Sequence, residues 1–288
     1  MVLFSGLKVE EVSRTKDILK DRFNNFVLEL KVRNYSRQTI NAYLYHIDKF
    51  LQFTKKEQRS VSTYDIRTYL NNLIMNGAGP RTINLAISSL KCYFESYLGK
   101  RLFDRIKRAK VPNDITPVLP REQIFAMINS TKFLKHKLLI ELLYSSGMRV
   151  GECVKLKVGD IDGNVIFIKK GKGNKDRFVI TSQYFLRDLR RYIETREKES
   201  IYLFDNLSGG HITIRTAEEI VRSAARRAGI VGRVYPHLLR ACFATHLLEE
   251  ELPLESIQKL MGHADIKTTQ GYTRLKTDYL KVIKSPLD

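Results

Sequence analysis

Apolar residues recur three and four positions apart in four successive stretches between residues 13 and 98. Ser36 and Thr63 open the second and third stretches and are predicted to cap helices. The turn formed by residues 76–80 ends the third stretch. The pattern predicts four amphipathic helices in a small bundle, with the aromatic and aliphatic stripe as its core.

Helical patterns return in the second half and are interrupted by two β-branched runs. An apolar stretch at 138–144 ends at Gly147, and a new helix is predicted at 150–156. Residues 164–168 and 178–181 flank a turn rich in glycine and lysine and predict a β-hairpin. The remaining predictions are a short strand at 202–204 and helices at 183–199, 216–229, 236–250 and 253–262.

These patterns predict a mainly α protein with two domains. Residues 1–99 form the N-terminal helical bundle, and residues 117–288 form a mainly helical domain with a small β-hairpin and a tail helix at about 276–288. Residues 100–116 are rich in Lys and Arg, include Pro112, and are interpreted as a basic linker. A plain solvated connection and direct contact with phosphates are equally supported for this segment.

The chain is strongly basic in both halves. Its net charge is +19, with 21 Lys and Arg against 11 Asp and Glu in residues 1–115, and 29 against 20 in residues 116–288. An excess shared by two domains favours a nucleic acid as the partner of both.

Cysteine usage and hydropathy indicate the compartment. Cys92, Cys153 and Cys242 are odd in number and far apart, which is typical of reduced core thiols in a cytosolic protein. Residues 1–15 lack the apolar region of a signal peptide, and no apolar run approaches the ~20 residues that span a bilayer. We therefore expect a soluble, cytoplasmic protein with no membrane partner.

Six residues of the second half have side chains suited to chemistry on one phosphate: Arg149, Lys172, His237, Arg240, His263 and Tyr272. Two arginines hold the non-bridging oxygens of a phosphodiester and stabilise the charge of a pentacoordinate transition state. Nearby cations stabilise the phenolate of Tyr272, whose unperturbed pKa is about 10, as a nucleophile. Lys172, on a glycine-flanked turn, is the natural general acid for the leaving sugar oxygen. This chemistry requires no metal, ATP or other cofactor.

Taken singly, each of these residues also has an ordinary structural explanation. Arg149 suits a surface position at a helix end, and the turn with Lys172 lacks the GxxxxGK[ST] phosphate-loop pattern. Tyr272 is one of 14 tyrosines. The spacing of the histidines and Cys242 fits no usual metal set, and His246 is expected to pack or to face solvent.

In their order along the chain, the motifs resemble the tyrosine site-specific recombinases, and among them the compact Xer branch. The matching stretches are SGMRVGE around Arg149, GKGNK around Lys172, HLLR from His237 to Arg240, MGH ending at His263 and TTQGY ending at Tyr272. The likeness covers nearly the whole chain, because residues 13–98 also resemble the SAM-like, core-binding domain of that family.

The resemblance implies an enzyme that cleaves and rejoins DNA at a specific site through a 3′-phosphotyrosyl intermediate and resolves chromosome or replicon multimers. Matched by motif, Arg149 and Arg240 clamp the phosphate, Lys172 is the general acid, His237 and His263 donate hydrogen bonds, and Tyr272 is the nucleophile. Glu152 matches an acidic position that orients the site. The alternative is that Glu152 forms only an exposed ion pair with Arg149, three residues away, which would contribute little.

Some alternatives remain open within this resemblance. Ala241 and Cys242 stand where many relatives have His-Ser, and Gly271 stands before the tyrosine where the family often has an aliphatic or aromatic residue. These departures affect the tuning of the site more than the reaction. A mobile-element integrase or a topoisomerase-like relaxase would use the same six residues, but residues 1–12 are too short for the arm-binding domain of an integrase. A non-catalytic architectural DNA-binding protein is the alternative of another class.

Contacts with double-stranded DNA are expected from side chains near helix starts and in the linker, namely Arg37, Gln38, Arg81, Lys107 and Lys110, and Asn84 is a further polar candidate. The resemblance implies that the tail at 276–288 docks on a neighbouring protomer and so joins a tetramer on two DNA sites. Packing of the tail on its own domain is the alternative.

Overall fold

The computed structural model describes residues 23–112, 117–169, 176–196, 200–261 and 285–288. Contacts within the chain separate two units, Met1–Asp114 and Ile115–Asp288. Both are mainly helical, which confirms the predicted fold class. The division lies inside the predicted linker, and the domain boundaries at residues 99 and 117 stay predictions. Within the described part of the chain, no helix has the length and apolar character needed to cross a membrane.

The first unit is a helical bundle. Its elements are α1 (Asn24–Val32), α2 (Arg37–Thr54), α3 (Thr63–Met75) and α4 (Pro80–Lys91), with a π-helical stretch at Cys92–Tyr97 directly after α4. The aromatic residues Phe26, Phe50 and Phe94 are fully buried in one shared core. The predicted stripe is therefore structural.

The helix cap of α3 differs by one residue from the prediction. Ser62, not Thr63, caps the helix, because the Ser62 hydroxyl accepts a hydrogen bond from the Asp65 amide. The Asp65 carboxylate accepts one in return from the Ser62 amide at 2.9 Å. This reciprocal pair satisfies two amides that the first turn of a helix leaves open.

Residues 100–112 of the predicted linker are held on the bundle. The Phe103 ring is 3% exposed and belongs to the bundle core, and its amide donates to the Glu95 carboxylate at 2.8 Å. The Asn84 side chain exchanges two hydrogen bonds with the backbone of Ala109, at 2.9 and 2.8 Å. Asn84 therefore fixes this segment through the same amide that had suggested a contact with DNA.

The second unit is built around a buried helix. Its helices are α5 (Arg121–Asn129), α6 (Leu134–Ser146), α7 (Val150–Cys153), α8 (Gln183–Thr195), α9 (Ile214–Arg227), α10 (Pro236–Glu249) and α11 (Leu254–Met261). Residues 138–146 of α6 are all buried, so this helix is covered on every side, as an all-round apolar sequence predicts.

A small antiparallel sheet lies in the second unit. Strands β1 (Ile161–Asp162), β2 (Val165–Ile168) and β3 (Arg177–Ile180) follow one another in space, with Ile168 paired to Arg177. The predicted hairpin is confirmed. Strand β1 was not predicted, because two residues are too few to show an alternating pattern. In place of the strand predicted at 202–204 there is one isolated bridge, between Lys157 and Tyr202.

The last four residues pack on their own unit. Leu287 is 1% exposed, and the Ser285 hydroxyl donates to the Ser145 carbonyl at 2.9 Å. The Asp288 carboxylate accepts from the Gln183 amide at the start of α8, at 2.7 Å. In the single chain, the end of the tail therefore packs on its own unit, which is the alternative to docking on a neighbouring protomer. Residues 276–284 lie outside the described chain.

Two buried carboxyl groups meet between α6 and α8. Glu141 and Asp188 are both 0% exposed, and the Lys137 ammonium lies 2.5 Å from Asp188 and 3.7 Å from Glu141. Burial opposes ionisation of Asp188, but the neighbouring Lys137 ammonium outweighs it and lowers the pKa of Asp188. Burial, together with the negative charge of Asp188, raises the pKa of Glu141 to about 8. Glu141 is therefore protonated in the folded protein at neutral pH.

This protonation predicts a pH-dependent stability. Because the folded pKa of Glu141 is raised from 4.5 to about 8, the folded state binds a proton that the unfolded state has lost, and its contribution to stability falls as pH rises between these values. We expect Glu141→Gln to be more stable than the parent protein at pH 8. The difference in the free energy of unfolding should grow with rising pH, by about 1.4 kcal/mol per pH unit at most.

Urea denaturation at pH 5.5 and pH 8 measures the difference. Glu194→Gln, at an exposed position of α8, is the matched control and should keep the pH slope of the parent protein. Equal slopes for Glu141→Gln and the parent protein would contradict the assignment.

Candidate active site

Arg149 is placed by the sharp end of α6. Gly147 ends that helix with φ +58°, a left-handed conformation, and Arg149 becomes the first residue before α7. A Cβ on Gly147 would overlap the Phe243 ring of α10. Glycine is thus required here both by the backbone angle and by the close approach of α10, which brings Arg149 and α10 together.

We expect Gly147→Ala to lower the free energy of unfolding by about 3 kcal/mol, because left-handed strain adds to overlap with a core ring. Gly163, with φ +55° and no atom within 4 Å of the place that a new methyl group would take, offers a matched control that isolates the strain. Gly163→Ala should cost only about 1 kcal/mol. Chemical denaturation of both variants tests the difference, and equal losses would show that the Phe243 contact is unimportant.

Arg240 lies buried at the centre of the site. It follows Pro236, which opens α10, and its side chain is 3% exposed. One guanidinium nitrogen donates to the Gly147 carbonyl and another to the Met261 carbonyl. Arg240 therefore ties the end of α6 to the end of α11. His237, one turn earlier on α10, is exposed.

The electrostatics of the site are dominated by positive charge. Burial, followed by the charges of Arg149 and Arg177, lowers the pKa of Arg240 to about 10, which leaves it charged at neutral pH. Partial desolvation of the His237 ring, followed by the charges of Arg240 and Arg149, lowers the pKa of His237, although much of the residue surface stays exposed. The shift favours the neutral imidazole, in which one ring nitrogen donates a hydrogen bond and the other accepts one. Such a surplus of cations suits an anionic ligand.

Among the described residues, Glu152 is the negatively charged partner of Arg149 and Arg177. Its carboxylate accepts from the Arg149 amide at 2.9 Å and from the Arg149 guanidinium at 3.2 Å. It also accepts two hydrogen bonds from Arg177, at 2.8 and 2.6 Å. Burial by itself raises the pKa of Glu152, but the hydrogen bonds from Arg177 and Arg149 outweigh it and the pKa is lowered. Glu152 is thus a shared partner of two arginines, not an exposed ion pair.

Arg177 was missed by the sequence reasoning. The signal that was available is a charged residue directly before the apolar run of residues 178–180. Its partner Glu152 lies 25 residues earlier, and no local pattern links the two positions.

The structure brings together three of the six predicted residues, Arg149, His237 and Arg240. The other three, Lys172, His263 and Tyr272, lie outside the described residues. The five predicted DNA contacts are all exposed and lie near the starts of α2 and α4 or in the segment after the bundle: Arg37, Gln38, Arg81, Lys107 and Lys110.

The remaining histidine and cysteine candidates have structural partners. His246 is 3% exposed, and its Nδ1 lies 2.7 Å from the Tyr144 hydroxyl. The Cys242 sulfur accepts from the Leu119 amide at 3.3 Å, and all three cysteines are buried and free. In the part of the chain that the structure covers, no group of three His, Cys, Asp or Glu residues could hold a metal ion.

Comparison with known proteins agrees with this geometry. The phage integrase family matches residues 118–278, and the phage integrase N-terminal SAM-like domain matches residues 23–104. Tyrosine recombinase XerA of Pyrococcus horikoshii is 31% identical over 280 residues, covering 96% of this chain and 95% of the relative. Tyrosine recombinase XerC of Anoxybacillus flavithermus is 33% identical, with coverage of 90% and 95%.

A solved structure of the XerH site-specific recombinase bound to its difH substrate shares the fold, with a TM-score of 0.64, 24% identity, and coverage of 87% of this chain and 80% of that one. The SAM-like and catalytic domain types predicted from sequence are thereby confirmed. The chain belongs to the phage integrase family and is a tyrosine recombinase of the Xer branch, an enzyme of site-specific recombination.

Proposed function

We propose that this recombinase binds double-stranded DNA and cleaves one strand at a time through a 3′-phosphotyrosyl intermediate. The observation that supports this most is the buried Arg240, whose guanidinium is fixed by two backbone carbonyls while Arg149 adds a second positive charge. Two arginine forks complement the two non-bridging oxygens of a phosphodiester. They stabilise the charge that develops when phosphorus becomes pentacoordinate.

We propose the remaining roles by analogy with the family and from their chemistry. The Tyr272 oxygen forms a bond to the scissile phosphorus as the bond from phosphorus to the 5′ oxygen breaks, and the phenolic proton is released to water. Lys172 gives its proton to the 5′ oxygen, which leaves as a hydroxyl. His237 and His263 donate hydrogen bonds to the phosphate. Attack by a 5′ hydroxyl on the phosphotyrosine reverses these steps, and the retained bond energy makes ATP unnecessary.

The assembly and the biological role are also proposals. The XerH structure is of a recombinase bound to its difH substrate, and by analogy we propose four protomers on two DNA sites. The pocket that holds Ser285 and Leu287 in the single chain is where the tail of a neighbouring protomer would dock. We propose that the biological role of the enzyme is to resolve chromosome or replicon multimers in the cytoplasm.

Covalent capture tests the proposed reaction. The protein is incubated with nicked duplexes of randomised sequence, in EDTA and in parallel with Mg²⁺, and adducts that survive SDS are isolated and sequenced. We expect one preferred site, and a plasmid with two direct copies of it should be resolved into two circles. Binding without any adduct would indicate an architectural protein, and adducts that require a divalent metal would contradict the mechanism.

A further inference from the structure

Arg177 connects the β-hairpin to the arginine cluster. It is the first residue of β3, paired in register with Ile168 at the end of β2. The turn between these strands carries Lys172 in the sequence. The Arg177 side chain is 11% exposed, so it is largely removed from solvent and poorly placed to touch DNA directly.

Arg177 forms a bidentate contact with Glu152. The two terminal nitrogens of Arg177 donate to the two carboxylate oxygens of Glu152 at 2.8 and 2.6 Å, and the Glu152 side chain is 12% exposed. The same two oxygens accept from the Arg149 guanidinium and amide at 3.2 and 2.9 Å. Each carboxylate oxygen is thus shared between Arg177 and Arg149, with the shorter bonds going to Arg177.

The shared carboxylate contacts the Arg149 guanidinium at Nη1. If Arg177 were absent, the Glu152 carboxylate could turn to form a bidentate pair with Arg149, which lies three residues earlier at the start of the same helix. That pairing would neutralise Arg149 and draw its guanidinium toward the protein. The charge of Arg177 also acts on Arg240, where it lowers the pKa of the buried guanidinium.

We propose that Arg177 is a positioning residue for DNA cleavage: it occupies the Glu152 carboxylate so that the Arg149 guanidinium is directed at the scissile phosphate. This inference rests on the proposed function. A two-pronged contact depends on the planar guanidinium, so lysine is no substitute at this position.

The test compares Arg177→Gln with the parent protein on the duplex recovered by covalent capture. The rate of adduct formation is measured on a normal phosphodiester and on a methylphosphonate at the cleaved position, with duplex affinity and thermal melting measured in parallel. A methylphosphonate lacks one negative charge and so depends less on a correctly aimed arginine. Arg222→Gln, which breaks an exposed ion pair with Glu219 on α9, is the matched control.

We expect Arg177→Gln to cleave the phosphodiester on the order of 100-fold more slowly, with duplex affinity within about threefold of the parent protein and a loss at least about tenfold smaller on the methylphosphonate. The double variant with Glu152→Gln should be no slower than Arg177→Gln, because both changes act on one contact. Arg222→Gln should cleave like the parent protein.

Other outcomes overturn the inference. Parent-like cleavage by Arg177→Gln, an equal loss on both substrates, or additive losses in the double variant would each show that Arg177 only supports the fold. Absence of adducts with the parent protein would instead refute the proposed function itself, and the role of Arg177 with it.

Discussion

Tyr272→Phe is expected to form no covalent complex with DNA while still binding it. The substitution removes one oxygen, the atom proposed to attack phosphorus, and no other hydroxyl is proposed to replace it. We expect adduct formation to fall on the order of 10⁴-fold or more, as loss of a nucleophile does in other covalent enzymes. Duplex affinity should change little, because the proposed DNA contacts lie on basic surfaces away from this one oxygen.

The control for this variant is Tyr184→Phe. Tyr184 is 42% exposed on α8 and its ring stacks against the Arg187 guanidinium, a contact that phenylalanine keeps. This variant should form adducts at the parent rate. Adducts formed by Tyr272→Phe would show that another residue is the nucleophile and that the motif ending at Tyr272 has been misassigned.

Arg240→Lys is expected to have the second-largest effect, a loss of cleavage of about 10³-fold. Lysine keeps the charge but offers a single nitrogen, so it cannot hold the Gly147 and Met261 carbonyls and also reach a phosphate. Leaving one of these buried carbonyls unpaired should also lower the free energy of unfolding by about 1–3 kcal/mol. Single-turnover cleavage and urea denaturation measure the two effects separately.

Arg227→Lys provides the matched control. Arg227 also joins two segments by hydrogen bonds, donating to the Ser130 carbonyl at 3.1 Å and to the Thr131 hydroxyl at 3.3 Å, but it lies outside the arginine cluster. It should lose some stability and keep its cleavage rate. If Arg240→Lys cleaved as fast as Arg227→Lys, the guanidinium would have no special role at the phosphate.

The helices were predictable because their signals are local. Apolar spacing gave the buried helix α6, and Gly147 marked its end, which in turn placed Arg149 before α7. The chemical residues were predictable for another reason, since their order matches a family pattern. Spacing alone could not show that Arg149 and Arg240 meet, because 91 positions separate them and only the fold brings them together.

The features that were missed depend on distant or very short segments. Arg177 becomes informative only once β3 is seen beside Glu152. The hydrogen bonds from Asn84 to Ala109 turn part of a predicted linker into a segment of the bundle surface. The buried position of Leu287 likewise follows from contacts with the whole second unit, which no pattern within the tail encodes.

Identifying the residue that becomes linked to DNA tests the proposed reaction most directly. The parent protein is trapped on its captured duplex in EDTA, digested with protease and nuclease, and analysed by mass spectrometry. We expect a nucleotide on the peptide that contains Tyr272, attached through a 3′ phosphate. A nucleotide on any other residue, or attachment through a 5′ phosphate, would contradict the proposed reaction.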